Sequence, residues 1–489
     1  MQQTIVSMAP ALAVLVSLIG AFLIVLFSKK PNLRESVTII TALTKFLIVA
    51  SMLPIILNGD IIEYTLFTLF KGLDIKFRVD AFGILFATTA SFLWIITSVY
   101  SIGYVRSLKE HAQTRYFFCF AIALSSAMGV AFAANLLTLF IFYEILTIST
   151  YPLVIHKETK GALSAGTKYF GYLLTTSIIF QLTAIVLVYS LTGTLEFSER
   201  GILAGHGGGL LTLIFFMFII GYTKAAIMPL HSWLPTAMIA PTPVSALLHA
   251  VAVVKVGVFS ILRIIFYIFG IDLLSELGLG IILAYFVSFT ILLASIYALT
   301  HDNLKMRLAY STISQLSYIV LGAALLSPSG IIGGVMHIVN HGFAKITLFF
   351  CAGSIYIATR KTNISEMNGI GRKMPITMFA FAIASLGMVG IPFTGGFISK
   401  WFLALGSIEA GQIPILIVLL VSSILNAAYF FPVVYTAFVK ELPEGDSTIK
   451  EPSLFVTVPL TLTAIGSVIL GLYPSLFLEL AKAVMRGVT

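Results

Sequence analysis

Apolar runs of roughly twenty residues follow one another along this chain with only short polar breaks between them. In hydrocarbon every backbone N–H and C=O must be satisfied within the protein, so only helices and closed barrels span a membrane. A helix needs about 20 apolar residues per crossing and a tilted barrel strand about 9–11, so the run length selects helices. Fourteen spans are predicted, at 5–27, 36–57, 80–104, 115–133, 135–156, 167–192, 208–230, 243–267, 279–299, 308–326, 331–358, 374–407, 414–438 and 454–475. Of 489 residues, 59% are hydrophobic and 10% charged, against about 25% charged in soluble domains. The chain therefore reads as one all-α polytopic membrane domain, residues 1–489. Its first span lacks a basic flank and a small-residue cleavage site, and is read as structural rather than as a signal peptide. The longest polar stretches, 59–79 and 440–453, are too short for a separate domain, which places the function in or beside the bilayer.

The two cysteines, Cys119 and Cys351, lie in no CxxC context, which excludes a disulfide scaffold and a cysteine-held metal; both are expected to be small core hydrophobes. A net charge of +9 would suggest nucleic acid in a soluble protein. Here the basic residues gather in alternate short loops. Those holding Lys29, Lys30, Arg34, Arg106, Arg115, Lys157, Lys305, Arg360 and Arg372 carry the excess over those holding Lys76, Arg78, Arg200 and Arg263. The richer side is expected to be cytoplasmic, and an even span count puts both termini outside.

Charges inside the spans cost at least ~2.5–3.5 kcal/mol each on insertion scales and are functional candidates by default. Glu144 lies about 12 Å along span five, Lys224 stands five residues before Pro229 in span seven, and Lys255 is near the middle of span eight. Burial lowers a lysine pKa and a nearby carboxylate raises it, so making and breaking a Glu144–Lys224 pair would switch Lys224 between holding and releasing a proton. A static ion pair fixing helix register is the alternative. Lys45 in span two is close enough to the cytoplasmic end to snorkel there, and is not counted as a site.

His337, His341 and Lys345 recur at i, i+4, i+8 on span eleven and share one helical stripe. Imidazole accepts and donates protons near neutral pH, which suits a bridge. Metal binding by the two histidines is disfavoured by the nearby lysine and the absence of HExxH. Span twelve is too long for one crossing and is interrupted by Gly390, Pro392, Gly395 and Gly396, so a broken helix is expected with Lys400 just past the break, beside a hydrated path. Spans seven and twelve share this pattern of a breaker beside a lysine. Two five-span units, 115–267 and 279–438, would then be inverted repeats, as in many ion translocators. A row of titratable groups with water between them moves protons by small steps. No nucleophile–base arrangement, P-loop or dinucleotide fingerprint occurs.

The stretch GYTKAAIMPLHSWLPTAMIAPTPVSALLHAVAVVKVGVF, with FYEIL, DNLKMRLAYSTISQLSYI, HxxxHxxxK and GIPFTGGFISKW, resembles the antiporter-like subunits of respiratory complex I, membrane-bound hydrogenases and Mrp-type cation/proton antiporters. The resemblance covers nearly the whole chain. It implies a fourteen-helix fold with two inverted five-helix repeats around a hydrophilic axis. By position, Glu144 and Lys224 match the switching pair, Lys255 the middle lysine, His337 and His341 the bridge, and Lys400 the terminal site. His231 and His249 are candidates for proton uptake from the cytoplasm, with helix packing an equal alternative. Lys345 is a candidate modulator of His341, or it pairs with a polar group on a neighbouring helix.

Size and the MNGIGRKMP segment resemble the D-type subunit of an Mrp-type Na+/H+ antiporter, or its equivalent in an Mrp-related hydrogenase. A complex-I-type pump subunit of an NADH:quinone oxidoreductase is the alternative, and an autonomous secondary cation transporter a second. Implied partners are other integral membrane subunits, including small hydrophobic subunits and a second antiporter-like subunit, with peripheral redox subunits where redox chemistry drives transport. No cofactor or metal is expected in the chain itself, only ordered water and lipid; the expected location is a prokaryotic cell membrane.

Overall fold

Polar residues at the boundaries of the apolar runs cap the helices. Asp80, Asn135, Thr159, Asn303 and Ser327 each accept a hydrogen bond from a backbone N–H in the first turn of the helix that follows. In the computed structural model, which describes residues 3–70, 73–444 and 448–489, these runs become α1 (Ala9–Leu26), α2 (Pro31–Leu57), α3 (Ala81–Leu108), α4 (Gln113–Ala131), α5 (Leu136–Val154) and α6 (Lys160–Thr192). They continue as α7 (Gly208–Gly221), α8 (Thr242–Phe269), α9 (Leu279–Thr300), α10 (Leu304–Ala324), α11 (Pro328–Thr359), α12 (Pro375–Val389), α13 (Gly395–Glu409), α14 (Ile413–Phe438), α15 (Leu454–Leu472) and α16 (Ser475–Val488). Among the described residues eleven helices are long and apolar enough to cross a membrane, while α7 and α12 are apolar but shorter. The chain is a multi-pass, mainly helical membrane protein.

Both expected interruptions are present. α7 stops at Gly221, and the chain continues through a 3-10 turn at Thr223–Ala225, one short helical turn at Trp233–Thr236 and a second 3-10 turn at Ala237–Ile239 before α8. Span twelve divides into α12 and α13, with Gly390 at φ +91°, a conformation that suits glycine. α8 is itself irregular, with π-helical turns at Leu247–Val251 and Ile264–Phe269.

The stretch read as a polar loop holds strands instead. β1 (Thr4–Val6) pairs parallel with β2 (Ile61–Phe70), which pairs antiparallel with β3 (Leu73–Val79). Along β3, Ile75, Phe77 and Val79 are buried and alternate with Lys76 and Arg78, the period of two that a half-buried strand requires. Glu63 binds both bases across the ladder, at 2.9 Å from Lys76 Nζ and 2.6 Å from Arg78 Nε.

The loops segregate into two faces. On the basic face Arg34 meets Gln113, Arg106 meets Glu35, Arg115 meets Glu158 and Asp302 meets Ser365. On the other face lie the sheet, the Arg78–Phe197 carbonyl bond and the Arg263–Asp80 pair. Both chain ends are on this sheet face: β1 joins the sheet, and Arg486 and Gly487 of α16 line a cavity with Arg78 and Asp80. α8 is wholly enclosed by the rest of the chain, whereas α2 and α14 bury only a third of their apolar windows. Lys255 therefore sits on the innermost helix.

Candidate functional site

Lys224 projects from the 3-10 turn after α7 toward α5. The approach of that turn to α8 depends on Gly257, where a Cβ would lie 2.3 Å from Ala225 N and 2.8 Å from Lys224 Cβ. The Lys224 ammonium donates to the Tyr143 carbonyl at 2.8 Å and to Thr147 Oγ1 at 2.7 Å, and lies 3.0 Å from the centre of the Tyr143 ring. Glu144 does not close the expected ion pair: both of its carboxylate oxygens are sheltered and neither accepts a hydrogen bond. Residues 143 and 147 are i, i+4 on the face of α5 toward Lys224, and residue 144 is displaced by ~100° around the helix. Glu144 and Lys224 are neighbours in an open arrangement.

Lys255 Nζ lies 2.8 Å from His341 Nδ1, joining α8 to α11. One helical turn away, the His337 and His341 rings stack at 5.9 Å between centroids. His337 is held on both sides, its Nδ1 2.8 Å from Ser399 Oγ on α13 and its Nε2 3.0 Å from Gln315 Oε1 on α10. Ser399 and Gln315 thus fix the orientation of the His337 ring between α10 and α13. Tyr318 bridges onward: its ring is 5.6 Å from that of His337, and Lys400 Nζ lies 5.0 Å from its centre. The break in span twelve supplies the seat for Lys400, which donates to the freed C-terminal carbonyls of α12, Met388 at 2.8 Å and Val389 at 3.0 Å. A cation at a helix C-terminus is electrostatically favoured. Lys255, His341, His337 and Lys400 thus form one connected row. Gln315, Ser399 and Tyr318, which complete it, carry no charge and gave no signal in the sequence.

Lys345 leaves the histidine stripe. It donates to Ser311 Oγ of α10 at 2.9 Å, and Tyr429 reaches the same oxygen at 3.1 Å. His249, in the first π-turn of α8, is fully buried against the Phe349 ring with both nitrogens unpartnered. His231 lies in the loop before α8, half-buried, with Nδ1 3.2 Å from the Pro229 carbonyl. A cavity of about 190 Å³ on the basic face, lined by Tyr104, Thr242, Lys305 and Tyr356, reaches the start of α8, two turns from His249. Lys45 does not snorkel. It is fully buried, its ammonium 2.8 Å from the Leu124 carbonyl and 4.7 Å from the Trp94 ring, because its face of α2 packs on α3 and α4 rather than on lipid.

The chain has relatives among known proteins. Residues 133–426 match the family model described as NADH:quinone oxidoreductase/Mrp antiporter, TM. The chain is 32% identical to NADH-quinone oxidoreductase subunit N of Desulforudis audaxviator over 403 residues, 78% of this chain and 79% of that one. It is 28% identical to a probable K(+)/H(+) antiporter A/B subunit of Rhizobium meliloti over 451 residues, 89% of this chain but 44% of the relative, so it spans less than half of that protein. Among solved structures it superposes on a chain of the membrane-bound sulfane sulfur reductase, an archaeal respiratory membrane complex, with TM-score 0.89 and 26% identity, covering 99% of this chain and 98% of the other. A chain of the Mrp complex from Dietzia sp. DQ12-45-1b, at 22% identity, has the same fold, with TM-score 0.87 over 99% of this chain and 98% of the other. The chain belongs to the NADH:quinone oxidoreductase/Mrp antiporter transmembrane family.

Proposed function

We propose that this chain moves protons along the row that runs from Glu144 and Lys224 through Lys255, His341 and His337 to Lys400, as an antiporter-like subunit of a larger membrane complex. The observation that carries the proposal is the Lys255–His341 bond of 2.8 Å on the most enclosed helix. When the ammonium donates to Nδ1 and the proton crosses, lysine becomes neutral and the imidazole becomes imidazolium. His341 Nε2, which has no protein partner, then passes the charge toward His337. Unused hydrogen-bonding capacity on His249, His341, Gln315 and Asn340 is what a file of water molecules satisfies. His249 is the better candidate for uptake, since the basic-face cavity leads toward it; His231 lies in the loop outside the row.

Fourteen crossings follow if α10 and the two broken helices each count once, with α16 lying at the sheet face. The units 115–267 and 279–438 then have inverted topology, and their interrupted helices place Lys224 and Lys400 at corresponding positions. The positive-inside rule assigns the basic face to the cytoplasm of a prokaryotic cell and both termini to the outside. In this reading the chain has no cofactor of its own. It is assembled with small hydrophobic subunits and a second antiporter-like subunit, and serves as the D-type subunit of an Mrp-type antiporter or its counterpart in an Mrp-related respiratory complex. The 32% identity to an NADH-quinone oxidoreductase subunit favours a complex-I-type pump subunit as the second reading. Proton uptake by sealed vesicles containing the assembled complex tests the relay: Lys255→Ala with normal uptake overturns it. Mass spectrometry of the co-purifying subunits separates redox-driven from gradient-driven transport, since flavin or iron–sulfur partners mark a redox-driven pump and their absence a gradient-driven antiporter.

A further inference from the structure

Away from the row, the turn between α3 and α4 meets the residues just past α5 on the basic face. Glu110 and His111 come from the turn and His156 from the end of α5, and their ligating atoms all lie within 4.8 Å of one another. His156 Nε2 is 3.8 Å from Glu110 Oε2, and the two imidazole rings stack at 4.9 Å. A second observation is independent of this clustering. His156 is 1% exposed, with the Tyr116 ring packed edge-on against it, yet neither of its ring nitrogens has a hydrogen-bond partner. An imidazole enclosed to that degree ordinarily has at least one partner.

We propose that Glu110, His111 and His156 form a binding site for a transition-metal dication of the zinc class. Two imidazoles and one carboxylate are a donor set that zinc takes readily, whereas Mg²⁺ and Ca²⁺ require more oxygens. Ligands on a tetrahedral zinc with ~2.0–2.1 Å bonds stand about 3.3 Å apart. The observed spacing closes to that by side-chain rotation, which His111, half exposed, is free to make. Glu158 is the reserve fourth ligand: its Oε1 lies 3.9 Å from His111 Nε2 and is otherwise held by Arg115. The charges of Arg115 and Lys157 oppose a cation here and those of Glu110 and Glu158 offset them. A bound ion would tie the α3–α4 turn to α5, the helix that carries Glu144. The site stands whether or not the relay operates.

The test uses the untagged full-length chain in detergent, stripped with chelator and titrated with Co²⁺. One saturable equivalent with the visible d–d bands of a four- or five-coordinate ion is expected, displaced by Zn²⁺ and not by an equal concentration of Mg²⁺. His111→Ala and Glu110→Gln should each weaken Co²⁺ at least tenfold; both residues lie outside the packed core, so the variants keep the fold. Absence of saturable bands, displacement by Mg²⁺, or a titration unchanged from the parent in both variants would overturn the site.

Discussion

Lys255 has one side-chain partner, His341, and no carboxylate within the ion pairs of the described residues, so no static ion pair accounts for a lysine at this depth. Lys255→Ala should lower proton uptake per assembled complex at least tenfold, with subunit stoichiometry on a native gel unchanged. Ser399→Ala removes only one hydrogen bond to His337, worth ~1 kcal/mol, and should slow uptake by about fivefold. Equal losses for the two variants would mean that uptake responds to packing rather than to a titrating chain. Glu144→Gln should impair transport more than Glu144→Asp, because the open arrangement leaves charge, rather than a contact, as the link between Glu144 and Lys224. The charged members of the row were legible in the sequence because an ionised residue stands out in an apolar run. Gln315, Ser399 and Tyr318 were not: α10 carries Ser311, Thr312, Ser314, Gln315 and Ser317 within two turns, and only packing decides which of them faces His337. Lys45 was legible as a charge and misread in its fate, since distance from a span's end says nothing about which neighbour covers it.

At the scale of elements, interruptions were easy to read and alternations were not. Gly390, Pro392 and the Gly395–Gly396 pair mark the break between α12 and α13 in the sequence itself, because glycine and proline punctuate helices by fixed backbone chemistry. The sheet escaped because β2 and β3 lie in a stretch defined only by its polarity and β1 at the edge of the first apolar run, and α16 because a helix of 14 residues is too short for a span. One element junction carries a stability prediction. Asp80 caps α3 and accepts two hydrogen bonds from Arg263 of α8, which is fully buried among Phe82, Phe197, Phe259 and Tyr267. Asp80→Ala would leave a buried guanidinium unpaired, a loss of about 3–5 kcal/mol, seen as a fall in Tm of the detergent-purified chain. Burial acts to raise the Asp80 pKa, but the Arg263 charge and hydrogen bonds, with the Gly83 N–H, outweigh it and hold the carboxyl below its usual range. Its folded-state pKa is depressed, so the clamp contributes fully above pH ~4, the ordinary carboxylate value, and is lost as pH falls below it. Acid sensitivity of Tm below pH 4 should therefore be smaller in Asp80→Asn than in the parent; an unchanged pH profile would remove the clamp from the account.

The whole molecule exposes where its row of charges ends. A cavity of about 580 Å³ opens sideways between α13 and α14, with Lys400 and Tyr318 at its base and Trp401, Leu420, Ile424 and Phe431 on its walls. Those walls are apolar and outward-facing: Ile424 is 70% exposed and Trp401 56%. The sequence could not show this, because hydropathy does not tell a lipid-facing stripe from a subunit-facing one. A lysine whose reach ends in an apolar lateral opening has two possible coverings, acyl chains or another subunit, and they predict different chemistry. Relatives of this fold are found in multi-subunit membrane complexes, and a charge passed out of this chain needs a polar group on the other side of the opening to receive it. Ile424→Cys should then react at least tenfold more slowly with a lipid-soluble maleimide in the native complex than in the isolated chain. Background labelling is low, since Cys119 and Cys351 are both buried. Equal rates in the two preparations would mean that lipid covers the opening, and the row would have to discharge within this chain rather than into a neighbour.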